Sequence, residues 1–457
     1  MRNQKHIALL VIPILLFLFL KLQHLSIRLS DTNIYFYTGF RLLHQQFLYK
    51  DIFFTNLPLF PYISSIYYLI SSGNIKIFYA TALLEVIVIT LLIYFIVYTK
   101  TKNYIISAIS SLLYMFSSIV MVTSDHQTGV FSASIFIILS YLLLEKKYFL
   151  ISGIFAGISL LTKAYFLPIF LSFSLHLLFI KKDYKHFFRF LTGFISVTAL
   201  VVLPFLIFAR KEFITDLFYS LTREGTTKQD AILIFVKYDF ILFSVFIFNL
   251  FNFKKNSLFA IISLVSIVFL FFYQGLYYIY LNFIVPFLAI SFYNLWDFLM
   301  QKRPLLKTIL PTILFSAIIV NIIMYATYFS NFEVIKNINS VVELIKKENP
   351  KYLYGTADIT PVLAYLSKIP LLNNIIDTNP NIFRKKILNS KKLTQQAIKA
   401  RAIIVVRGTC CDKLSIDNSP INEIFDKDLL LKYCKPLSSI PLNTKGKSSS
   451  INLLKCY

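Results

Sequence analysis

Residues 29–62 read LSDTNIYFYTGFRLLHQQFLYKDIFFTNLPLFPY. This stretch directly follows the first apolar run and is far more polar than its surroundings. It carries Asp31, Arg41, His44, Lys50 and Asp51, and the prolines Pro58 and Pro61. Outward from it the chain is apolar: 57% of its 457 residues are hydrophobic, and apolar runs recur to about residue 329. A hydrocarbon core about 30 Å thick needs roughly 20 apolar residues per helix. Many such runs, separated by short charged breaks, predict a polytopic α-helical membrane protein. The first run has no small-residue cleavage site and more runs follow it, so it reads as a retained span rather than a signal peptide.

The expected spans lie near residues 7–20, 75–98, 104–122, 130–144, 148–161, 166–180, 187–208, 232–253, 257–272, 276–292 and 305–328, about eleven in all. The net charge of +24 does not point to nucleic acid, because much of it sits in the breaks between spans. Arg2/Lys5, Lys100/Lys102, Lys146/Lys147, Lys181/Lys182/Lys185/Arg189, Lys254/Lys255 and Lys302/Arg303/Lys307 are placed as cytoplasmic loops require. With the N-terminus in the cytoplasm, alternation keeps all these breaks inside. It puts outside the loop 21–74, the turns 124–129, 162–165 and 273–275, the loop 210–230 and the whole tail. Lys237 and Asp239 interrupt one span and read as an ion pair near the interface; other charges cluster at span ends. Within the first outer loop, residues 33–44 and 59–70 have helical spacing and read as helices along the membrane surface.

From about residue 331 the pattern changes. Val334, Ile335, Ile338, Val341, Val342 and Ile345 predict an amphipathic helix over 333–348. Residues 352–354 and 402–406 read as short strands, and 360–366 and 382–388 as helices. Strands alternating with helices predict a small α/β domain. The chain thus divides into a membrane domain, 1–330, and an extracytoplasmic α/β domain, 331–457. All four cysteines (Cys410, Cys411, Cys434, Cys456) lie in that tail. This suits export, since disulfides persist outside the cytosol. Vicinal Cys410 and Cys411 rarely bridge each other, and four cysteines leave several pairings open.

The expected outer face collects Asp31, His44, Asp51, Asp125, His126, Lys163, Arg210, Lys211, Arg223 and Lys228. Asp31, Asp125 and Lys163 each stand at the outer end of a different span. Two acids and a base converging there suit glycosyl transfer from a lipid-linked sugar phosphate. The acceptor hydroxyl needs a base, which a carboxylate supplies. The phosphate leaving group needs positive charge, which Lys and Arg supply. Tyr35, Tyr37, Tyr277 and Tyr278 could stack on a sugar. Each residue also has a plainer reading. Asp31 suits a solvated interfacial position, Asp125–His126 turn and cap chemistry, Lys163 snorkelling to the interface, and Arg223 and Lys228 solvated loop charge; interfacial tyrosines are common. No HExxH, P-loop, GxGxxG or metal-spaced Cys/His cluster is present.

An Asp after the first span, then an aromatic helix with a glycine, then LYKDIFFTNLPLFPYI, resembles the first outer loop of the GT-C membrane glycosyltransferases. The likeness is to the protein mannosyltransferase and aminoarabinose (lipid A) transferase branch. Asp31, Tyr35, Tyr49, Asp51, Asn56, Pro58 and Pro61 carry it, with Leu57–Pro58 where the branch has a proline pair. LISGIFAGISLLTKAYFLPIF is similar to a further family segment through Gly153, Gly157 and Lys163. YQGLYYIYLNFIVPFLAI resembles its late Tyr-rich run ending in Pro286, and LYGTADITPVLAYLSKIPLLNNIIDTN its small soluble domain.

The resemblance implies a polyprenyl-phosphate sugar donor and a lipid, glycan or protein acceptor, at the outer face of the cell membrane. It implies Asp31 as base and, by position, Asp125 as a second acid that orients it. Lys163 and Arg223 would clamp phosphate, while Tyr35, Tyr277, Tyr278 and His126 would line the substrate site. Asp51 and Pro58 would structure the loop. Single-step displacement would invert the anomeric centre. Some distant branches use a divalent cation; Asp31 and Asp125 could hold Mg or Mn through oxygen ligands. A transporter or flippase of lipid-linked sugars, which needs ionisable groups at membrane depth, and a non-catalytic scaffold for the tail are the alternatives.

Overall fold

The computed structural model describes residues 2–221, 228–254, 256–273, 275–302, 306–329, 335, 337–409, 420–442 and 449–457. Its first part is helical: α1 (Arg2–Leu22), α2 (Thr32–Leu43), α3 (Leu59–Ile70), α4 (Ile75–Thr101), α5 (Tyr104–Met115), α6 (Ser118–Thr123), α7 (Val130–Glu145) and α8 (Phe149–Thr162). There follow α9 (Leu167–Leu175), α10 (Tyr184–Phe208), α11 (Arg210–Leu221), α12 (Lys228–Tyr238), α13 (Phe240–Phe251), α14 (Ser257–Phe272), α15 (Val285–Lys302) and α16 (Leu306–Met324).

Helix α4 shows why such segments form. Its 27 residues are mostly apolar and carry only three charges, Lys76, Glu85 and Lys100, and at 1.5 Å per residue they extend about 40 Å. The Asn74 side chain caps the start by accepting from the Lys76 N–H at 3.0 Å. Lys102, at φ 53°, ends it in the left-handed region. By length and composition Ile75–Thr101, Tyr184–Phe208 and Ile309–Thr327 can each cross a bilayer, and α12 with α13 can do so as a pair bent by 99°. The remaining apolar helices are shorter. Helices α8 and α10 meet backbone to backbone. A Cβ on Gly153 would lie 1.9 Å from the Phe190 carbonyl oxygen, and one on Gly193 2.0 Å from that of Leu150. Small residues allow this approach.

Three expectations about charge and placement change. Lys237 and Asp239 do not pair. Asp239, at the bend, accepts from the Ser118 N–H at 2.8 Å and from the Asn321 amide at 3.3 Å. Lys237 Nζ lies instead over the Tyr238 ring. Charges are not confined to span ends either: Glu85 is buried within α4. It accepts from Tyr67 Oη at 2.6 Å, Gln127 Nε2 at 2.9 Å and Ser132 Oγ, so neutral donors satisfy it there. The expected span at 104–122 breaks at Phe116–Ser117, because Asn321 donates to the Phe116 carbonyl and the Ser117 side chain starts α6.

The tail builds α17 (Ile338–Glu348), β1 (Leu353–Gly355), α18 (Thr360–Ser367), α19 (Pro380–Arg384), α20 (Ser390–Lys399), β2 (Ile403–Thr409), α21 (Lys427–Tyr433), β3 (Cys434–Pro441) and β4 (Ser449–Cys456). The four strands lie in the order β1-β2-β4-β3, with β1 and β2 parallel and the other pairs antiparallel. Ile338, Val341, Val342 and Ile345 form the buried stripe of α17, as their spacing predicts. The helix expected at 382–388 is the shorter α19. Cys434 and Cys456 are bonded; Cys410 and Cys411 lie outside the described residues.

Helix α2 is not laid on an open surface, whereas α3 leaves Ile66, Leu69 and Ile70 exposed. Residues Thr32–Gly39 are buried, and α2 packs against α3 and against α18 of the tail. The Asn33 amide donates to the Arg28 and Asp358 carbonyls and accepts from Tyr79 Oη. One side chain therefore ties the first loop to the membrane helices and to the tail.

Candidate active site

Four of the six stretches that alternation assigns to one face, with the start of the expected span at 276–292, line one cavity of about 220 Å³. The first loop gives Asp31, Ile34, Tyr35 and Asn56, and the turn before α7 gives Thr128. Lys163 follows α8, Tyr277 and Tyr280 follow α14, and the tail gives Asp377 and Asn379.

Asp31 holds the N-cap position of α2, yet its side chain makes no cap hydrogen bond and is exposed to the cavity. Tyr35, one turn on, is buried. Lys163 ends α8 with extended backbone (φ −148°), which turns its side chain out of the helix line. Its Nζ donates to Tyr35 Oη at 2.7 Å and lies 4.7 Å from the centroid of that ring. Lys163 is only 7% exposed, so its charge is held rather than solvated.

A second cavity of about 200 Å³ adjoins the first and shares Lys163 and Asn56. Its other walls are largely apolar, with Leu57, Tyr165, Leu167, Phe269 and Tyr273. Tyr165 stacks on Tyr280 with centroids 3.7 Å apart, so the two rings stand between the chambers. The arrangement is a polar chamber with the carboxylates of Asp31 and Asp377, an apolar chamber beside it, and an ammonium at the junction.

The site departs from the expected constellation at several positions. Asp125 is absent from the cavity lining. Its carboxylate is fully buried between Lys21, at 3.3 Å, and Arg28. Burial opposes its charge, but these two cations win and hold its carboxyl well below the usual range. His126 contacts Asp125 at 3.2 Å, and burial, then Arg28, lowers its imidazole below the usual value. Neither residue lines the chamber. The turn still contributes Thr128, held in place because Gln127 donates to Thr81 and Glu85.

Tyr278 also faces elsewhere. It meets Ser118 Oγ at 2.5 Å, and Tyr280 takes the expected place in the cavity. Residues Tyr278–Phe283 form a 3-10 helix with Tyr277 at its N-cap in extended backbone, and Tyr277 and Tyr280 both line the cavity. Arg223 lies outside the described residues. Asp51 accepts the Phe47 N–H at 2.8 Å and closes the 47–51 turn; Pro58 stands at the N-cap of α3. His44 contacts the Phe40 carbonyl in its own helix.

A divalent cation held by Asp31 and Asp125 does not fit. Asp125 already faces the Lys21 ammonium and the Arg28 guanidinium, and the two carboxylates do not line one cavity. No group of three or more His, Cys, Asp or Glu able to hold a metal occurs among the described residues.

The first-loop reading does not reach Asp377 and Asn379. The segment Leu371–Asn379 runs from the sheet to the loop: Leu371 bridges Leu353 of β1, and Ile375 bridges Phe53. Thr55 Oγ1 then donates to Asp377 Oδ2 at 2.7 Å. Behind this contact lies Asp216 of α11, whose Oδ2 accepts the Phe54 N–H at 3.4 Å. Burial pushes its carboxyl up to about 7, and Glu212 and Asp377 add to the rise.

No family model and no curated protein matches the chain. Its fold is similar to that of ArnT from Cupriavidus metallidurans bound to undecaprenyl phosphate, with a TM-score of 0.60, 10% identity and 97% of each chain covered. The same protein in the apo state gives a TM-score of 0.61 at 9% identity, again over 97% of each chain. The chain therefore has the GT-C fold of ArnT, the architecture that its first loop resembles in sequence.

Proposed function

We propose that this chain is a membrane glycosyltransferase that moves a sugar from a polyprenyl-phosphate donor to a hydroxyl-bearing acceptor, at the outer face of the cell membrane. The observation that carries the reading is Lys163 at the junction of a polar and an apolar chamber, with Asp31 in the polar one. A polyprenyl-phosphate sugar has the matching three parts: an apolar chain, a charged phosphate and a polar ring. The solved ArnT complex, bound to undecaprenyl phosphate, supports the donor class.

In the step itself, the acceptor oxygen forms a bond to the anomeric carbon as the bond from that carbon to the phosphate oxygen breaks. The electron pair leaves with the phosphate, where Lys163 stabilises the developing charge. The acceptor proton passes to the Asp31 carboxylate. Attack opposite the leaving phosphate inverts the anomeric centre. Tyr35 holds the ammonium by accepting its hydrogen bond, and the Tyr165–Tyr280 stack separates chain from ring. The acceptor is a lipid, a glycan or a protein.

Mass analysis of cell-surface glycans, lipids and proteins, with and without this protein, tests the reading. A defined sugar increment lost with the protein is the expected result. Unchanged masses, together with no release of polyprenyl phosphate by the purified protein, contradict it.

A further inference from the structure

We propose that Asp377 and Asn379 of the tail form the subsite that reads the hydroxyl groups of the transferred sugar. The α/β domain is then part of the active site and sets which sugar is accepted. The proposal rests on the glycosyl-transfer reading above.

The chain path favours it. Strand β1 is an edge of the sheet, and the segment that follows α18 extends this edge through Leu371 before joining the first loop at Ile375. Asp377, Thr378 and Asn379 come next, and each is anchored. Asp377 Oδ2 accepts from Thr55 Oγ1 at 2.7 Å and its Oδ1 from the Asn379 N–H at 3.0 Å. Thr378 Oγ1 donates back to the Gly355 carbonyl at 2.7 Å. Asn379 Oδ1 accepts the Asn381 N–H at 3.1 Å. Three consecutive residues are thus fixed to both halves of the molecule, and the outer two line the chamber that holds Asp31 and Lys163.

The chemistry favours it too. The chamber of about 220 Å³ equals about seven waters at ~30 Å³ each, which is room for one sugar ring. Lys163 is assigned to the phosphate and Asp31 to the acceptor proton. Asp377, a second carboxylate on the chamber wall though only 2% exposed, is assigned to the ring. A carboxylate accepts hydroxyl hydrogen bonds more strongly than a neutral group does, and the Asn379 amide adds an N–H donor. A site built on such bonds rejects a sugar lacking the hydroxyl, whereas the Tyr277 and Tyr280 rings grip a sugar face without reading its substituents.

The test uses the full chain, purified in lipid, with the polyprenyl-phosphate monosaccharide it turns over and the monodeoxy analogues of that donor. The wild type is expected to lose about ten- to a hundredfold in kcat/KM on one deoxy donor. Asp377→Ala is expected to lose as much on the parent donor and no more on that deoxy donor. Asp377→Asn, which keeps an acceptor for Thr55, serves the same comparison if the alanine variant does not fold. A variant that discriminates among the deoxy donors as sharply as the wild type overturns the proposal, because a merely structural Asp377 would leave that ratio untouched. Failure of the wild type to turn over any polyprenyl-phosphate sugar is a separate result and overturns the parent reading.

Discussion

Lys163 donates to the Tyr35 hydroxyl at 2.7 Å, one helical turn beyond Asp31 on α2. The proposed base and the proposed phosphate anchor are therefore referenced to the same helix. Lys163→Met removes the charge at the chamber junction and should lower kcat about 10²- to 10³-fold, the usual effect of losing one transition-state donor. Tyr35→Phe keeps the ring beneath the ammonium and removes only its acceptor; a loss of about tenfold is expected. Steady-state kinetics with a labelled donor checks both.

Asp125 should behave as a structural ion. It sits between Lys21 and Arg28, all three buried. Removing the carboxylate strands two cations, which costs about 3–5 kcal/mol. Asp125→Ala should lower the thermal midpoint in detergent sharply and reduce the folded yield. An unchanged midpoint with abolished transfer would return Asp125 to the chemistry.

Asp216 gives a pH signature. Its carboxyl is raised from 3.8 to about 7, first by burial. The folded state therefore keeps a proton that the unfolded chain releases, and this proton preference erodes stability as pH rises from about 4 to about 7 and then levels off. Asp216→Asn mimics the protonated form. Its thermal midpoint relative to the wild type should climb across that window. Parallel pH profiles for the two proteins would contradict the assignment.

The α8–α10 crossing should tolerate no side chain at Gly153. A Cβ there meets the Phe190 carbonyl at 1.9 Å, which is backbone and cannot swing aside. Gly153→Leu should collapse the yield of monodisperse protein in size-exclusion chromatography, whereas Ser159→Ala, which removes one hydrogen bond to the Ala133 carbonyl, should cost about 1 kcal/mol.

How much of this was legible in the sequence depends on how far each residue's partner lies along the chain. Asp31, Tyr35 and Lys163 stand out as polar breaks in apolar runs, and the alternation of spans brings their ends together. The periodic stripe of α17 is likewise local. Asp125 looks like a catalytic acid because nothing nearby reveals that Lys21 and Arg28 fold back onto it. Tyr278 rather than Tyr280 is chosen because its partner, Ser118, lies far away along the chain. Asp377 is the hardest case. In the sequence it stands near the end of a segment likened only to a small soluble domain, and only the pairing of Ile375 with Phe53 brings it to the site. Glu85 shows the opposite difficulty, since its donors Tyr67, Gln127 and Ser132 come from three separate segments.

The central claim is that Asp31 takes the acceptor proton. Transfer from a labelled polyprenyl-phosphate sugar, measured for purified wild type and Asp31→Asn in the same lipid, tests it most directly. Asp31 is exposed and makes no cap hydrogen bond, so the variant should fold and melt as the wild type does. The account predicts loss of transfer by at least about 10²-fold with an unchanged melting midpoint. Turnover retained at the wild-type rate in a folded Asp31→Asn protein would contradict it.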